Sequence, residues 1–172
     1  MDRRGVIDTI IQSSTVELFH TYGAALAPLP RGYRTSDDVT NLDLYGVISF
    51  NAPGFTGSLT LGLPTAVLSL MNSEGARNRR DHDWVRELSN QLMGRVKNRL
   101  MQFQVTLHVG LPSVMNRDAA QRRTSRSESV FIYCFRTIRG QVVVTLEGNI
   151  DESVIAYAGG INVASEGDII IF

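Results

Sequence analysis

Helical and hairpin segments alternate along the sequence in an order that predicts an α/β (α+β) fold, with a central, mostly antiparallel or mixed sheet and two long helices packed on one face. Three observations carry this prediction. Apolar residues recur at helical spacing in two long stretches, and they alternate at strand spacing on either side of two turn signals. The order helix, hairpin, short helix, then long helix, strand, hairpin forms a loose internal duplication offset by about 70 residues. Hairpins in this order exclude a doubly wound parallel sheet, which requires strand–helix–strand crossovers.

Residues 5–26 place Val6, Ile10, Ile11, Val16, Leu18 and Phe19 at imperfect helical spacing, closed by the breakers Gly23 and Pro28. Residues 28–38 carry Pro, Gly and Asp and read as a connection. Residues 42–50 predict a strand, 51–54 a turn (Asn-Ala-Pro-Gly) and 57–63 its partner strand. Pro64 suits the first turn of a short helix reaching about Met71. A polar, basic loop over 73–80 leads into the longest helix, 81–103, with Asp81 or Asp83 to cap its start and Arg95, Lys97 and Arg99 towards its end. Residues 105–114 predict a strand ending at Pro112, and 117–129 an Arg- and Ser-rich loop. Residues 130–138 and 141–147 predict a second hairpin about Arg139-Gly140. A short helix or strand at 154–157 and a terminal strand at 168–172 complete the chain.

The 172 residues suit one domain, residues 1–172, and a domain of that length buries roughly 70% of its unfolded surface without metals or disulfides. Seventeen basic residues balance 17 acidic ones, which argues against a partner of nucleic acid. No apolar run approaches the roughly 20 residues of a membrane span, so no membrane partner is expected. Met1-Asp2-Arg3-Arg4-Gly5 opens an amphipathic stretch and not an apolar signal core. The single cysteine, Cys134, lies in an apolar run and reads as a buried thiol, so a cytoplasmic location is expected. No phosphate-cradling glycine loop and no Gly-x-Ser-x-Gly elbow is present.

The informative segment lies in the long helix. At about 100° per residue, Asp83, Glu87, Asn90 and Gly94 form one narrow stripe, while Val85, Leu88, Leu92, Val96 and Phe103 cluster opposite. Arg99 falls near the apolar side, where it can snorkel. A polar helix exterior needs no purpose beyond solvation. Yet Asn is a poor helix former, and Gly94 costs roughly 1 kcal/mol relative to alanine in mid-helix. Both penalties on one exposed stripe point to a partner's backbone approaching there. Asp81-His82-Asp83 is not read as a metal site, because adjacent helical residues diverge and no other His or Cys is near in sequence. Trp84 reads as a packing contact at the helix start or as an exposed docking anchor, and His108 as a packed or solvent-facing strand residue.

Asp83-x-x-x-Glu87-x-x-Asn90 followed by Gly94 resembles the [Asp/Ser]-x-x-x-Glu-x-x-Asn signature of the CheC/CheX/FliY family of response-regulator phosphatases. Phe55-Thr-Gly-Ser-Leu-Thr-Leu-Gly before the short helix, and Gly110-Leu-Pro-Ser-Val114 after the long one, are similar too. The resemblance covers about residues 5–150 and leaves 151–172 as a C-terminal extension. It implies that Asn90 orients the water attacking the aspartyl phosphate of a CheY-like receiver, that Glu87 contacts the receiver's lysine, and that Asp83 and Gly94 meet the partner. No cofactor or metal is then required of this chain, since the Mg2+ would belong to the receiver. Two-site family members repeat the motif on the first helix. Here that helix reads Ser13-x-x-x-Glu17-x-x-His20, a degenerate first site, which makes the chain look closest to single-site CheX. The basic loops (Arg77, Arg79, Arg80 and Arg122, Arg123, Arg126) read as solvated surface, or as a face meeting a receiver's acidic rim. The resemblance also implies a homodimer through a sheet edge. The rival reading keeps the fold as a receiver-binding module without hydrolysis.

Overall fold

A computed structural model describes residues 3–30, 42–71, 80–122 and 129–155. The first helix, α1 (Arg3–Thr21), ends where Gly23 takes a left-handed turn at φ 81° and the amide of Ala24 reaches back to the Phe19 carbonyl (3.0 Å). Glycine adopts that conformation without steric penalty, so the helix stops where the breaker predicts. A two-residue strand, β1 (Ala27–Pro28), follows in what the sequence reads as a connection. The first hairpin is β2 (Leu44–Ala52) and β3 (Phe55–Leu63), joined at Pro53-Gly54 with Gly54 at φ 72°. Pro64 then caps the short α2 (Thr65–Leu68).

The long helix, α3, spans Asp81–Met101. Its N-cap is Arg80, which offers no side-chain bond, and not Asp81 or Asp83 as expected. Both aspartates sit in the first turn, where their charge meets the positive end of the helix dipole. The single strand expected over 105–114 is two pieces, β4 (His108–Val109) and β5 (Ser113–Asn116), both paired with β2. Pro112 has no N–H to give the ladder, so pairing lapses there and resumes after it. The loop expected over 117–129 begins instead as a short helix, α4 (Arg117–Arg122), because the Asn116 side chain caps it by accepting the Ala119 amide (3.0 Å). The second hairpin, β6 (Ser129–Thr137) and β7 (Gly140–Ile150), matches its prediction. A single 3-10 turn at Glu152–Val154 replaces the element expected at 154–157, whose last two residues lie outside the described ones. The terminal strand expected at 168–172 and most of the loops at 73–80 and 123–129 also lie outside them.

Among the described residues, seven strands form one antiparallel sheet in the order β1-β6-β7-β3-β2-β4, with β5 also on β2. The duplication is visible in its plan. The two hairpins meet at the centre through β3 and β7, with Thr60 opposite Thr145. Each outer hairpin strand is flanked by the short strand that follows the other unit's helix: β1 after α1 pairs with β6, and β4 and β5 after α3 pair with β2.

Strand alternation puts Ile48, Leu59, Leu61, Val142, Val144 and Phe135 into the main core. Ile7, Ile11, Leu18 and Phe19 of α1 and Val85, Leu88, Leu92 and Val96 of α3 close that core from one face. Full burial contributes about 1.5–3 kcal/mol for each such side chain, so this face fixes the orientation of α3. On the opposite face a small cluster of Leu42, Cys134 and Val143 packs with Tyr45 and Ile132, and Cys134 is buried and in no disulfide. Among the described residues, no helix is long and apolar enough to cross a membrane.

Candidate functional site

With its apolar side on the sheet, α3 turns the predicted stripe outward. Asp83 and Asn90 are exposed and Glu87 and Gly94 half-buried, while Val85, Leu88, Leu92 and Val96 are buried. Position on the sheet is set by a close approach, since buried Ser89 lies over Gly46 of β2. All four stripe residues therefore share one side of one helix, as the spacing predicts.

Their environments differ. Asp83 accepts a hydrogen bond from Arg86 one turn on (3.0 Å), and both side chains are about half exposed. Glu87 Oε1 accepts from the Gln91 side-chain amide (2.8 Å). The Asn90 amide reaches solvent and makes no side-chain hydrogen bond among the described residues. A Cβ built on Gly94 would meet nothing within 4 Å, so the fold does not require glycine there.

Around Glu87 the structure adds residues that the spacing does not reveal. The Tyr22 hydroxyl, just past α1, donates to Gln91 Oε1 (2.8 Å). The Tyr22 ring meets Trp84 edge-on, with centroids 4.9 Å apart and planes at 82°. Trp84 is buried and donates from Nε1 to Met71 Sδ (3.2 Å), so it is a packing residue and its docking-anchor reading is withdrawn. A Gln at i+4 from the Glu was the available sequence signal for part of this network. Nothing in the sequence marks Tyr22.

Ser13 and Glu17 of the degenerate first site are brought together with Arg99. That guanidinium, anticipated only as a snorkelling side chain, donates to Ser13 Oγ and to Glu17 Oε2. Arg95 also approaches Glu17, at 3.8 Å. Here the motif carboxylate serves as an interhelical ion pair. His20 is exposed in the last turn of α1. His108 is exposed on β4.

Chemically, α3 offers a neutral amide with donor and acceptor capacity, one carboxylate a turn away, and an uncrowded glycine beyond them. Among the described residues, no three His, Cys, Asp or Glu side chains converge to hold a metal ion.

A family model described as chemotaxis phosphatase CheX matches residues 44–135, which include both α3 and the first hairpin. Among curated proteins, no sequence matches the chain significantly. Solved structures share the fold at low identity. A CheC-like superfamily protein from Shewanella sp. PV-4 superposes with a TM-score of 0.67 at 19% identity, over 83% of this chain and 96% of that one. CheX from Desulfovibrio desulfuricans gives 0.62 at 16%, over 81% and 97%. A chain of the CheX–CheY–BeF3–Mg2+ complex from Borrelia burgdorferi gives 0.59 at 12%, over 86% and 97%.

Proposed function

The chain belongs to the CheX family of chemotaxis phosphatases, and from that premise we propose that it hydrolyses the aspartyl phosphate of a CheY-type receiver domain. The observation that carries this reading is the outward stripe of α3, where a solvent-facing Asn90 stands one turn from Glu87 with the uncrowded Gly94 beyond. The Borrelia relative, solved in complex with CheY, supports a receiver as the partner.

Aspartyl phosphate is a mixed anhydride and already reactive. Hydrolysis needs a water held in line with the bond that breaks: the water oxygen bonds to phosphorus as the acyl oxygen leaves, restoring the receiver's aspartate and releasing inorganic phosphate. In this reading Asn90 holds that water. An amide can donate and accept at once without repelling the phosphoryl group, as a carboxylate would. Glu87 meets the receiver's lysine, and Asp83 and Gly94 line the contact. The Mg2+ belongs to the receiver, and no cofactor is assigned to this chain. The reaction takes place in the cytoplasm with the receiver, in chemotaxis or a related two-component pathway. A second copy of the chain is the other partner proposed, since among the described residues the outer side of β5 (Ser113–Asn116) is a sheet edge suited to strand addition.

The test is loss of phosphate from receiver domains charged with acetyl phosphate. Wild-type protein should accelerate it, and Asn90→Ala should lose about a hundredfold with unchanged melting. A wild type that binds the BeF3−-loaded receiver without accelerating hydrolysis would make the chain a binding module. Equal rates for Asn90→Ala and wild type would remove the assigned role.

A further inference from the structure

We propose that Tyr22 and Gln91 are positioning residues that hold the Glu87 carboxylate ready for its partner, an inference that rests on the reading of α3 as a receiver-binding helix. Chemistry fixes the direction of the relay. An ionised carboxylate only accepts hydrogen bonds, so Gln91 must turn its NH2 towards Glu87 Oε1 (2.8 Å). Its carbonyl oxygen is then left to face Tyr22, whose hydroxyl must donate to it (2.8 Å). Each link therefore has one orientation, because flipping the Gln91 amide would set its carbonyl oxygen against the Glu87 carboxylate, acceptor to acceptor.

The far end of the relay is anchored. Tyr22 sits between the end of α1 and the turn at Gly23, its ring rests on buried Trp84, and Trp84 is tied to Met71. The Glu87 side chain is thus referenced to the core through two further side chains, Gln91 of α3 and Tyr22 at the end of α1. Ordering it before the encounter lowers the entropy lost on contact with a cationic partner group. Such an effect falls on partner binding and leaves the water-holding step at Asn90 unaltered.

Two readouts test this, with Tyr22→Phe, which keeps the ring on Trp84, and Gln91→Met. In the free protein, Tyr22→Phe should move the side-chain amide proton resonances of Gln91. With an acetyl-phosphate-charged CheY-type receiver as probe, each variant should raise KM about three- to tenfold at nearly unchanged kcat and melting temperature, and the double variant should add little to either single. Unmoved Gln91 resonances, a wild-type KM in both single variants, or full additivity in the double would each overturn the relay. If wild type hydrolyses no receiver phosphate while the Gln91 resonances still respond to Tyr22→Phe, the phosphatase reading fails and the linkage holding Glu87 stands.

Discussion

Gly46 of β2 lies directly under Ser89 of α3: a Cβ on Gly46 would come 1.9 Å from Ser89 Oγ, 3.0 Å from Ser89 Cβ and 3.1 Å from Val85 Cγ1. Ser89 is buried and its hydroxyl donates to the Val85 carbonyl of its own helix (2.8 Å), so it has no free direction in which to yield. Helix and strand are in backbone-close contact at the turn of α3 that carries Glu87 and Asn90. Gly46→Ala should therefore cost about 1–3 kcal/mol in chemical denaturation. Adding Ser89→Ala, which removes the 1.9 Å contact but leaves the Cβ, should recover part of that loss. A fully stable Gly46→Ala protein would mean that α3 can ride up off the sheet without penalty.

Gly94 behaves in the opposite sense. Because a Cβ there meets nothing within 4 Å, Gly94→Ala should stabilise the free protein by about 0.5–1 kcal/mol through helix propensity alone. If a receiver's backbone packs on this stripe, the same methyl group should weaken receiver binding and slow dephosphorylation several-fold. Thermal melts paired with kinetics read both effects. A variant that gains stability and keeps full activity would show that the glycine has no part in the contact.

Both the legible and the illegible parts of this fold have physical reasons. The hairpins were readable because Leu59, Leu61 and Leu63 bury on one face while Thr60 and Gly62 take the other, a period-two signal that needs no tertiary knowledge. The stripe on α3 was readable for the same reason at a period of 3.6. Two-residue β1 is too short to carry any period, and α4 depends on a cap from Asn116 in a polar segment. The Tyr22–Gln91 bond spans 69 residues of sequence, and the Gly46–Ser89 contact joins a strand to a helix. Such pairings exist only once the chain has folded. Arg99 stands out of the apolar pattern of its helix, but its partners Ser13 and Glu17 lie on the other helix, beyond the reach of helical spacing.

That pairing makes a prediction about the first motif. Glu17 is half exposed and meets Arg99 and Arg95, whose side chains are 27% and 16% exposed. Glu17→Ala should cost only about 0.5–1 kcal/mol, less at high salt, since solvent screens a pair of this exposure. Because the carboxylate is committed to the helix interface, phosphatase activity should stay within about twofold of wild type. A loss comparable to that of Glu87→Ala would instead make the first motif a working site.

Tyr45 gives a pH dependence whose sign can be worked out. Burial beside Leu42, Cys134 and Val143 pushes its phenol above the ordinary value of 10.0; Arg117 partly offsets this by favouring the ionised form, and Asp43 adds to the rise. The folded state thus holds the proton more tightly than the unfolded chain does. Below about pH 10 both states are protonated and the stability is fully present; as pH rises past that value the unfolded chain ionises first, and stability falls through the folded-state pKa. Tyr45→Phe has no proton to lose. Urea denaturation at about pH 8 and then at steps above pH 10 should show wild type losing more stability than the variant across that window. Parallel declines in the two proteins would mean that Tyr45 ionises as freely in the fold as out of it.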